Sequence, residues 1–142
     1  MQPLHPFEPR WELVSIQLDG EAVWRDGRLH GRFALRSGAA SLRWSAMALP
    51  PARRDGLWQS TCLEAFIAAQ GHSAYWEVNL APNGDWNVYA LSGYRENLRP
   101  VVEISSLPYL LRRSDTELQM EFQLDLSRWI SPTQPLEVSL TA

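Results

Sequence analysis

Short alternating runs, each closed by turn-forming residues, are the feature that most constrains how this chain can fold. Residues 28–37 place apolar side chains at Leu29, Phe33 and Leu35, with His30 and Arg32 at the positions between them. This period of two is that of a β-strand with one buried face. Similar runs recur about every ten residues, with turn signals between them. The pattern predicts an all-β protein, an antiparallel β-sandwich with immunoglobulin-like or jelly-roll-like layers and little helix.

The predicted strands follow one another along nearly the whole chain. Turns are expected at the pairs Asp19-Gly20 and Asp26-Gly27, and a hairpin turn at 82–84. Paired prolines make residues 48–56 a loop, and residues 126–130 read as a single helical turn. No linker or repeat divides the sequence, so residues 1–142 are taken as one domain. The predicted strands cover residues 11–18, 21–25, 28–37, 40–47, 60–68, 74–80, 85–91, 101–105, 109–114, 117–126 and 136–142.

Composition excludes several classes of function. A net charge of −3 without a basic stripe gives no footprint for nucleic acid. No run approaches the roughly 18 apolar residues of a membrane span, and no secretory signal is recognised, so a cytoplasmic protein is expected. Cys62 is the only cysteine, which excludes an internal disulfide and a cysteine-built metal site.

Three central strands carry polar residues where core side chains could stand. In each, one face is apolar or nearly so, and this face places Trp76 and Trp86 in the core beside Val78 and Val88. If the strands pair in register, the opposite faces join into one surface. That surface would hold Cys62, Glu64, Phe66, Tyr75, Glu77, Asn79, Asp85, Asn87 and Tyr89.

Aromatic rings beside carboxylates and amides are suited to sugar recognition. A pyranose lays its C–H face on an aromatic ring, while its hydroxyls bond to planar polar side chains. The same residues also fit an antiparallel sheet with one solvated face, where cross-strand polar and aromatic pairs stabilise the fold. Spacing alone leaves both interpretations open.

The segments "LWQSTCLEAF" and "YWEVNLAPNGDWNVYALSGYR" resemble a known family. They are similar to the DOMON-like domain proteins of bacteria, which are related to family-nine-like carbohydrate-binding modules. The resemblance implies a β-sandwich that binds sugar or haem without chemistry. It places Glu64, Glu77, Asn79 and Trp86 nearest a ligand, with Trp58 as a stacking plate. Together with the shared face, the predicted ligand-binding residues are Trp58, Glu64, Tyr75, Glu77, Asn79, Trp86, Asn87, Tyr89 and Arg95.

The expected function is therefore non-catalytic binding of a carbohydrate or related polar small molecule, with no metal and no cofactor. Glu64 and Glu77 could alternatively form the carboxyl pair of a glycoside hydrolase. A haem site could draw on Met47 or Met120 with His30. A third alternative is a structural or interaction domain that binds no small ligand.

The last predicted strand, "LEVSLTA", also bears on partners. Members of the resembled family continue past it, so the domain is expected to lack its last strands and to expose a sheet edge. Unpaired edges are templates for another chain. We therefore expect a homodimer through this edge.

Overall fold

The computed structural model describes residues 1–5, 15–38 and 41–142. Within them the chain forms ten strands in two antiparallel sheets and no α-helix, which confirms the predicted all-β sandwich. One 3-10 turn, Leu57–Gln59, precedes the fourth strand. The strands are β1 Gln2–Leu4, β2 Ile16–Arg25, β3 Arg28–Ser37, β4 Leu63–Ala69, β5 Tyr75–Leu80, β6 Trp86–Leu91, β7 Arg99–Pro100, β8 Tyr109–Arg113, β9 Glu117–Asp125 and β10 Leu136–Thr141.

The two sheets have five strands each. Sheet A has the order β1-β2-β3-β9-β8, and sheet B the order β10-β4-β5-β6-β7. The alternation read from the sequence decides which side chains meet between them. Their facing sides form one apolar core, which includes Leu29, Phe33, Met120, Ile67 and Val88. Burial of these side chains provides most of the favourable free energy of folding.

The predicted turn at Asp19-Gly20 is wrong, because β2 runs through both residues without a break. Gly20 faces inward, and a Cβ there would lie 2.8 Å from Leu140 Cδ1 of sheet B. The glycine therefore leaves room for the Leu140 side chain of the other sheet and does not form a turn. The following turn, at Asp26 and Gly27, does occur, and both residues have positive φ.

Two of the predicted strands are absent from the structure. Residues 41–48 form no strand; Leu42 donates its backbone N–H to Asp115, and Trp44 donates its indole N–H to Ser114. Residues 101–105 form a turn, in which Val101 and Ile104 point into the core and the backbone N–H of Ile104 bonds to Val101. The strand predicted at 11–18 is described only from residue 15 onward; residues 11–14 lie outside the described part.

The other predicted strands agree with the structure to within a few residues, whereas the short strands β1 and β7 were not predicted. The hairpin turn at 82–84 is present, with Gly84 at a positive φ of 98°. The segment 126–130 makes a single turn, closed by the backbone bond from Ile130 to Leu126. No helix in the described ranges is long and apolar enough to cross a membrane.

Strand β1 is one edge of sheet A, and β10 is one edge of sheet B. A groove of about 700 Å³ separates them, and Leu4, Trp24, Val138 and Leu140 contribute to its walls. Val138 is exposed, and β10 is hydrogen-bonded only to β4 among the described strands. The homodimer through this edge stays a prediction.

Gly31 provides a test of how the core of sheet A is packed. It pairs with Phe122 across β3 and β9, and a Cβ on Gly31 would lie 2.1 Å from Phe122 Cε1. Gly31→Ala should therefore destabilise the protein by about 1–3 kcal/mol in urea unfolding, as overpacked cores do. Gly38→Ala is the control, because its Cβ would meet only Ser15 O at 3.6 Å.

Combining Gly31→Ala with Phe122→Leu makes the test specific to this contact. The smaller side chain should remove much of the clash, so the two losses should not add. Additive losses, or an equal effect of Gly31→Ala and Gly38→Ala, would contradict this packing.

Candidate ligand-binding site

The register of sheet B brings the polar residues of its central strands to one face, as the sequence predicts. Across β4, β5 and β6, Glu64 pairs with Asn79, and Asn79 with Asn87. In the next row Glu77 stands between Phe66 and Tyr89. The edge strand β10 adds Thr141 beside Glu64 and Ser139 beside Phe66. We call this surface the polar face of sheet B.

The β6 side of the polar face is covered by the chain itself. Asn87 and Tyr89 are almost fully buried. The covering residues come from the loop that precedes β4, which runs beside β6 and forms a bridge between Arg53 and Trp86. The backbone N–H of Arg54 donates to Trp86 O, and that of Trp86 to Ala52 O.

Asp55 fastens this loop to the polar face. One of its carboxylate oxygens accepts hydrogen bonds from Asn87 Nδ2 at 3.0 Å and from the Tyr89 hydroxyl at 2.9 Å. Burial, together with the neighbouring carboxylate, raises the pKa of Tyr89 to about 12. The amide of Asn87 also donates to Arg54 O. Asn87 and Tyr89 therefore hold the loop, and their hydrogen-bonding groups are already used.

Arg53 is the second residue that holds the loop on sheet B, and the sequence pattern did not identify it. Its guanidinium lies 4.5 Å from the centre of the Trp86 ring and donates to Asn87 Oδ1 at 2.6 Å. It also donates to the backbone oxygens of Val101 and Ile104. The last two bonds explain why residues 101–105 form a turn, since Arg53 takes two carbonyls that a strand would use in its ladder. The only signal was an arginine beside prolines in a loop.

Trp58 lies at the end of this loop and is 46% exposed. Its ring meets the Tyr89 ring edge-on, with 5.6 Å between centroids. On the other side of Glu77, the rings of Phe66 and Tyr75 contact each other at 6.1 Å. Aromatic rings therefore flank Glu77 on both sides.

Glu64, Glu77 and Asn79 form the centre of the polar face. Glu77 is only 8% exposed, Asn79 is fully buried, and Glu64 is half-buried. Asn79 Nδ2 donates to Glu77 Oε1 at 3.1 Å, whereas Asn79 Oδ1 has no hydrogen-bond partner among the described residues. Burial raises the pKa of both glutamates, and the charge of Glu77 raises the pKa of Glu64 further.

Cys62 lies next to this centre but is not a reactive thiol. Burial is the main cause that raises its pKa to about 12, and Glu64 adds to the effect. A buried thiol that stays protonated at neutral pH behaves as a small apolar side chain.

The structure separates Trp86 from the other predicted site residues. Trp86 is 7% exposed and lies in the core, on the opposite side of sheet B from Glu77. The core position read from alternation is confirmed, and it puts the Trp86 ring on the side of sheet B away from the polar face. Arg95 lies at the rim: its backbone N–H meets the Tyr75 hydroxyl at 3.4 Å, and its guanidinium lies over the exposed Tyr94 ring.

The residues considered for haem do not come together. His30 is on the outer side of sheet A, Met120 is buried in the core, and Met47 is exposed in the segment after β3. Among the described residues, no group of three or more histidine, cysteine, aspartate or glutamate side chains is arranged to hold a metal ion.

Two grooves lie away from the polar face: one of about 700 Å³ between β1 and β10, and one of about 450 Å³ on the outer side of sheet A near His30. Glu64, Glu77 and Asn79 line neither of them.

Comparison with known proteins gives a single structural likeness and no family. The sequence matches no family profile and no curated protein. The fold is similar to the crystal structure of a proposed carbohydrate-binding protein from Bacteroides uniformis, with a TM-score of 0.60 and 11% sequence identity. The likeness covers 89% of this chain but spans 60% of that protein's length. At this identity it shows a shared fold.

Arg53 should be essential for the loop over sheet B. Arg53→Met removes the guanidinium from Asn87 Oδ1 and from the Val101 and Ile104 carbonyls, although Asn87 Oδ1 still accepts from the Val88 N–H and Val101 O from the Ile104 N–H. We expect a loss of about 1–3 kcal/mol in urea unfolding, as for buried acceptors that lose a hydrogen-bond donor. Arg53→Lys should recover little, because a single ammonium cannot span the same acceptors.

The neighbouring Arg54 is the control for the charge. Its side chain is exposed, and among the described residues it forms an ion pair with Asp85, at 3.7 Å. Arg54→Met should change stability by less than about 1 kcal/mol, because the guanidinium is in water and the buried Asp85 keeps hydrogen bonds from Ala52 and Asn83. Equal losses for the two methionine variants would show that the bonds of Arg53 do not fasten the loop.

Proposed function

We propose that this protein is a non-catalytic binding domain that holds a carbohydrate, or a related polar small molecule, on the polar face of sheet B. The ligand would rest between Trp58 on one side and Phe66 on the other, above Glu64 and Glu77. The resemblance to DOMON-like proteins, given by the segments around these residues, is part of the same proposal.

The observation that carries the proposal is an exposed tryptophan beside buried polar groups. Trp58 keeps nearly half of its surface in contact with solvent, although it lies against the buried Tyr89. A sugar ring could cover this surface with its C–H face, and its hydroxyls could bond to the carboxylates next to it. Glu64, at the β10 side, is the more open of the two glutamates.

The two glutamates support binding better than catalysis. Their register makes them diagonal neighbours, about 7–8 Å apart at the Cα atoms. A carboxyl pair that hydrolyses glycosides divides its roles, because its surroundings push the two pKa values apart. Here burial raises both pKa values, and the differences between them come from the two residues themselves and one amide: Glu77 raises the pKa of Glu64 further, and the Asn79 hydrogen bond lowers that of Glu77. No described basic group assigns one carboxyl the role of acid and the other that of base.

The structural likeness supports the proposal only through the fold. The similar protein is itself a proposed carbohydrate binder, and its sandwich covers most of this chain. The second candidate, a structural or interaction domain, is favoured by Asn87 and Tyr89, whose polar groups are consumed within the chain. Binding measurements distinguish the two.

Trp58→Ala tests the proposal directly. Once a glycan array has identified a bound saccharide, isothermal titration should show its affinity reduced about tenfold or more, as expected for a central aromatic contact. The melting temperature should change little, because the ring is half exposed.

Trp129→Ala is a matched control. Trp129 is exposed to a similar degree, but it contacts Trp76 at 6.3 Å, away from the polar face. It should leave the affinity unchanged. A protein that binds no glycan would favour the structural domain, and a Trp58→Ala variant that binds as the wild type does would place the ligand away from Trp58.

A further inference from the structure

Among the described residues, the glutamates on the polar face of sheet B have no neighbouring cation, whereas carboxylates on the outer side of sheet A are paired with arginines. On the outer side of sheet A, Arg28 pairs with Asp125, Arg32 with Glu121, and Arg36 with both Asp19 and Glu117. On the polar face of sheet B, neither Glu64 nor Glu77 forms an ion pair with any residue that the structure describes. Two close carboxylates without a cation repel each other and resist ionisation.

Asn79 independently indicates that a ligand at this site provides a hydrogen-bond donor. The side chain is fully buried, and its amide nitrogen is committed to Glu77 Oε1. Its amide oxygen, on the strand position opposite Glu64, accepts no hydrogen bond from the described residues. A buried acceptor without a donor is destabilising, and a ligand N–H group could recover that loss.

The flanking rings also suit a cation. Phe66 and Tyr75 lie on one side of Glu77, and Trp58 with Tyr89 on the other. Aromatic faces attract ammonium groups through their quadrupoles, most strongly where water is partly excluded. A neutral sugar would use the rings but would leave the two carboxylates without a counter-charge.

We propose that the ligand carries a protonated amine, held between Glu64 and Glu77 with Asn79 Oδ1 as a further acceptor. This inference rests on the proposed function, and it narrows the ligand class to amino sugars with free amines. One ammonium supplies three donors, which matches the two carboxylates and the amide oxygen.

The other described groups that face Glu64 and Glu77 add no positive charge that would balance the two carboxylates. Just before β4, Cys62 faces the site with a thiol that burial keeps protonated; from β5 and β6, Tyr75 and Tyr89 face it. The edge strand β10 contributes Ser139, Thr141 and the exposed Glu137. The loop contributes Asp55, while Arg53 is engaged with Asn87 and the carbonyls behind it. Arg95 at the rim stacks on Tyr94.

Four probes test the inference by isothermal titration at about pH 6, where amines are protonated and ordinary glutamates are ionised. They are a glucosamine tetrasaccharide, its N-acetylated form, cellotetraose and 1,4-diaminobutane. The glucosamine tetrasaccharide should bind about 10- to 100-fold more tightly than the two neutral saccharides, since hydrogen bonds to charged groups are strong.

Charge-removing variants locate the amine. Glu64→Gln and Glu77→Gln should each abolish most of that preference, whereas Glu103→Gln, on an exposed loop away from the polar face, should keep it. Circular dichroism checks that each variant is folded. Affinity for the amine should fall as the pH is lowered, because protonated glutamates lose their charge, and the raised pKa values make the loss begin above pH 4.5.

The possible outcomes distinguish the amine inference from the proposed binding of a saccharide. Equal binding of all three saccharides overturns the amine inference and keeps the proposed function. Binding of diaminobutane as tightly as of the glucosamine tetrasaccharide, without binding of neutral saccharides, keeps the amine site and overturns the saccharide. Binding of none of the four probes overturns the amine inference, and a silent glycan array would overturn the proposed function as well.

Discussion

The hydrogen bonds that Arg53 and Asp55 make with Asn87 are the interaction on which the candidate site depends. Asn87 lies on the outward side of a central strand and is fully buried, so its amide needs partners. The loop before β4 supplies them, with the Arg53 guanidinium on the amide oxygen and the Asp55 carboxylate on the amide nitrogen. Because the same loop carries Trp58, these bonds also place an exposed aromatic ring at the polar face.

The hydrogen bonds of Arg53 also determine the path of the chain after β7, on the other side of β6. Arg53 lies over Trp86 and takes the carbonyls of Val101 and Ile104, so the residues after β7 turn into the core. One half-buried cation thereby joins the loop, the sheet and the connection that follows. Glu64 and Glu77 take no part in these bonds, so the polar face combines a fixed loop with two carboxyl groups that form no ion pair with any described residue.

Much of the fold follows from the alternation of side chains alone. The period of two in β3, β5 and β6 placed Leu29, Val78 and Trp86 in the core correctly, and the register then required Glu64, Glu77 and Asn79 to share a face. Gly20 was misread because a glycine after an aspartate is typical of a turn. Its actual role, allowing Leu140 of the other sheet to approach, depends on a contact between residues far apart in sequence.

The candidate site was predictable in composition but not in arrangement. Alternation could list the outward residues of sheet B, yet it could not show that a loop buries Asn87 and Tyr89 and leaves Glu64 and Trp58 more open. Nor could it find Arg53, whose partners lie 34 to 51 residues away in the chain. Coverage by a loop is a tertiary property, and local pattern carries no information about it.

The central claim is that ligand binds on the polar face of sheet B, against Trp58. Two-dimensional ¹H–¹⁵N NMR resolves the indole N–H signals, one from each of the seven tryptophans. Titration with the glucosamine tetrasaccharide should shift the Trp58 signal most, while the signals of Trp86, Trp24 and Trp129 stay in place. Shifts concentrated at Trp24, in the groove between β1 and β10, or at Trp129 would place the ligand elsewhere and contradict this account.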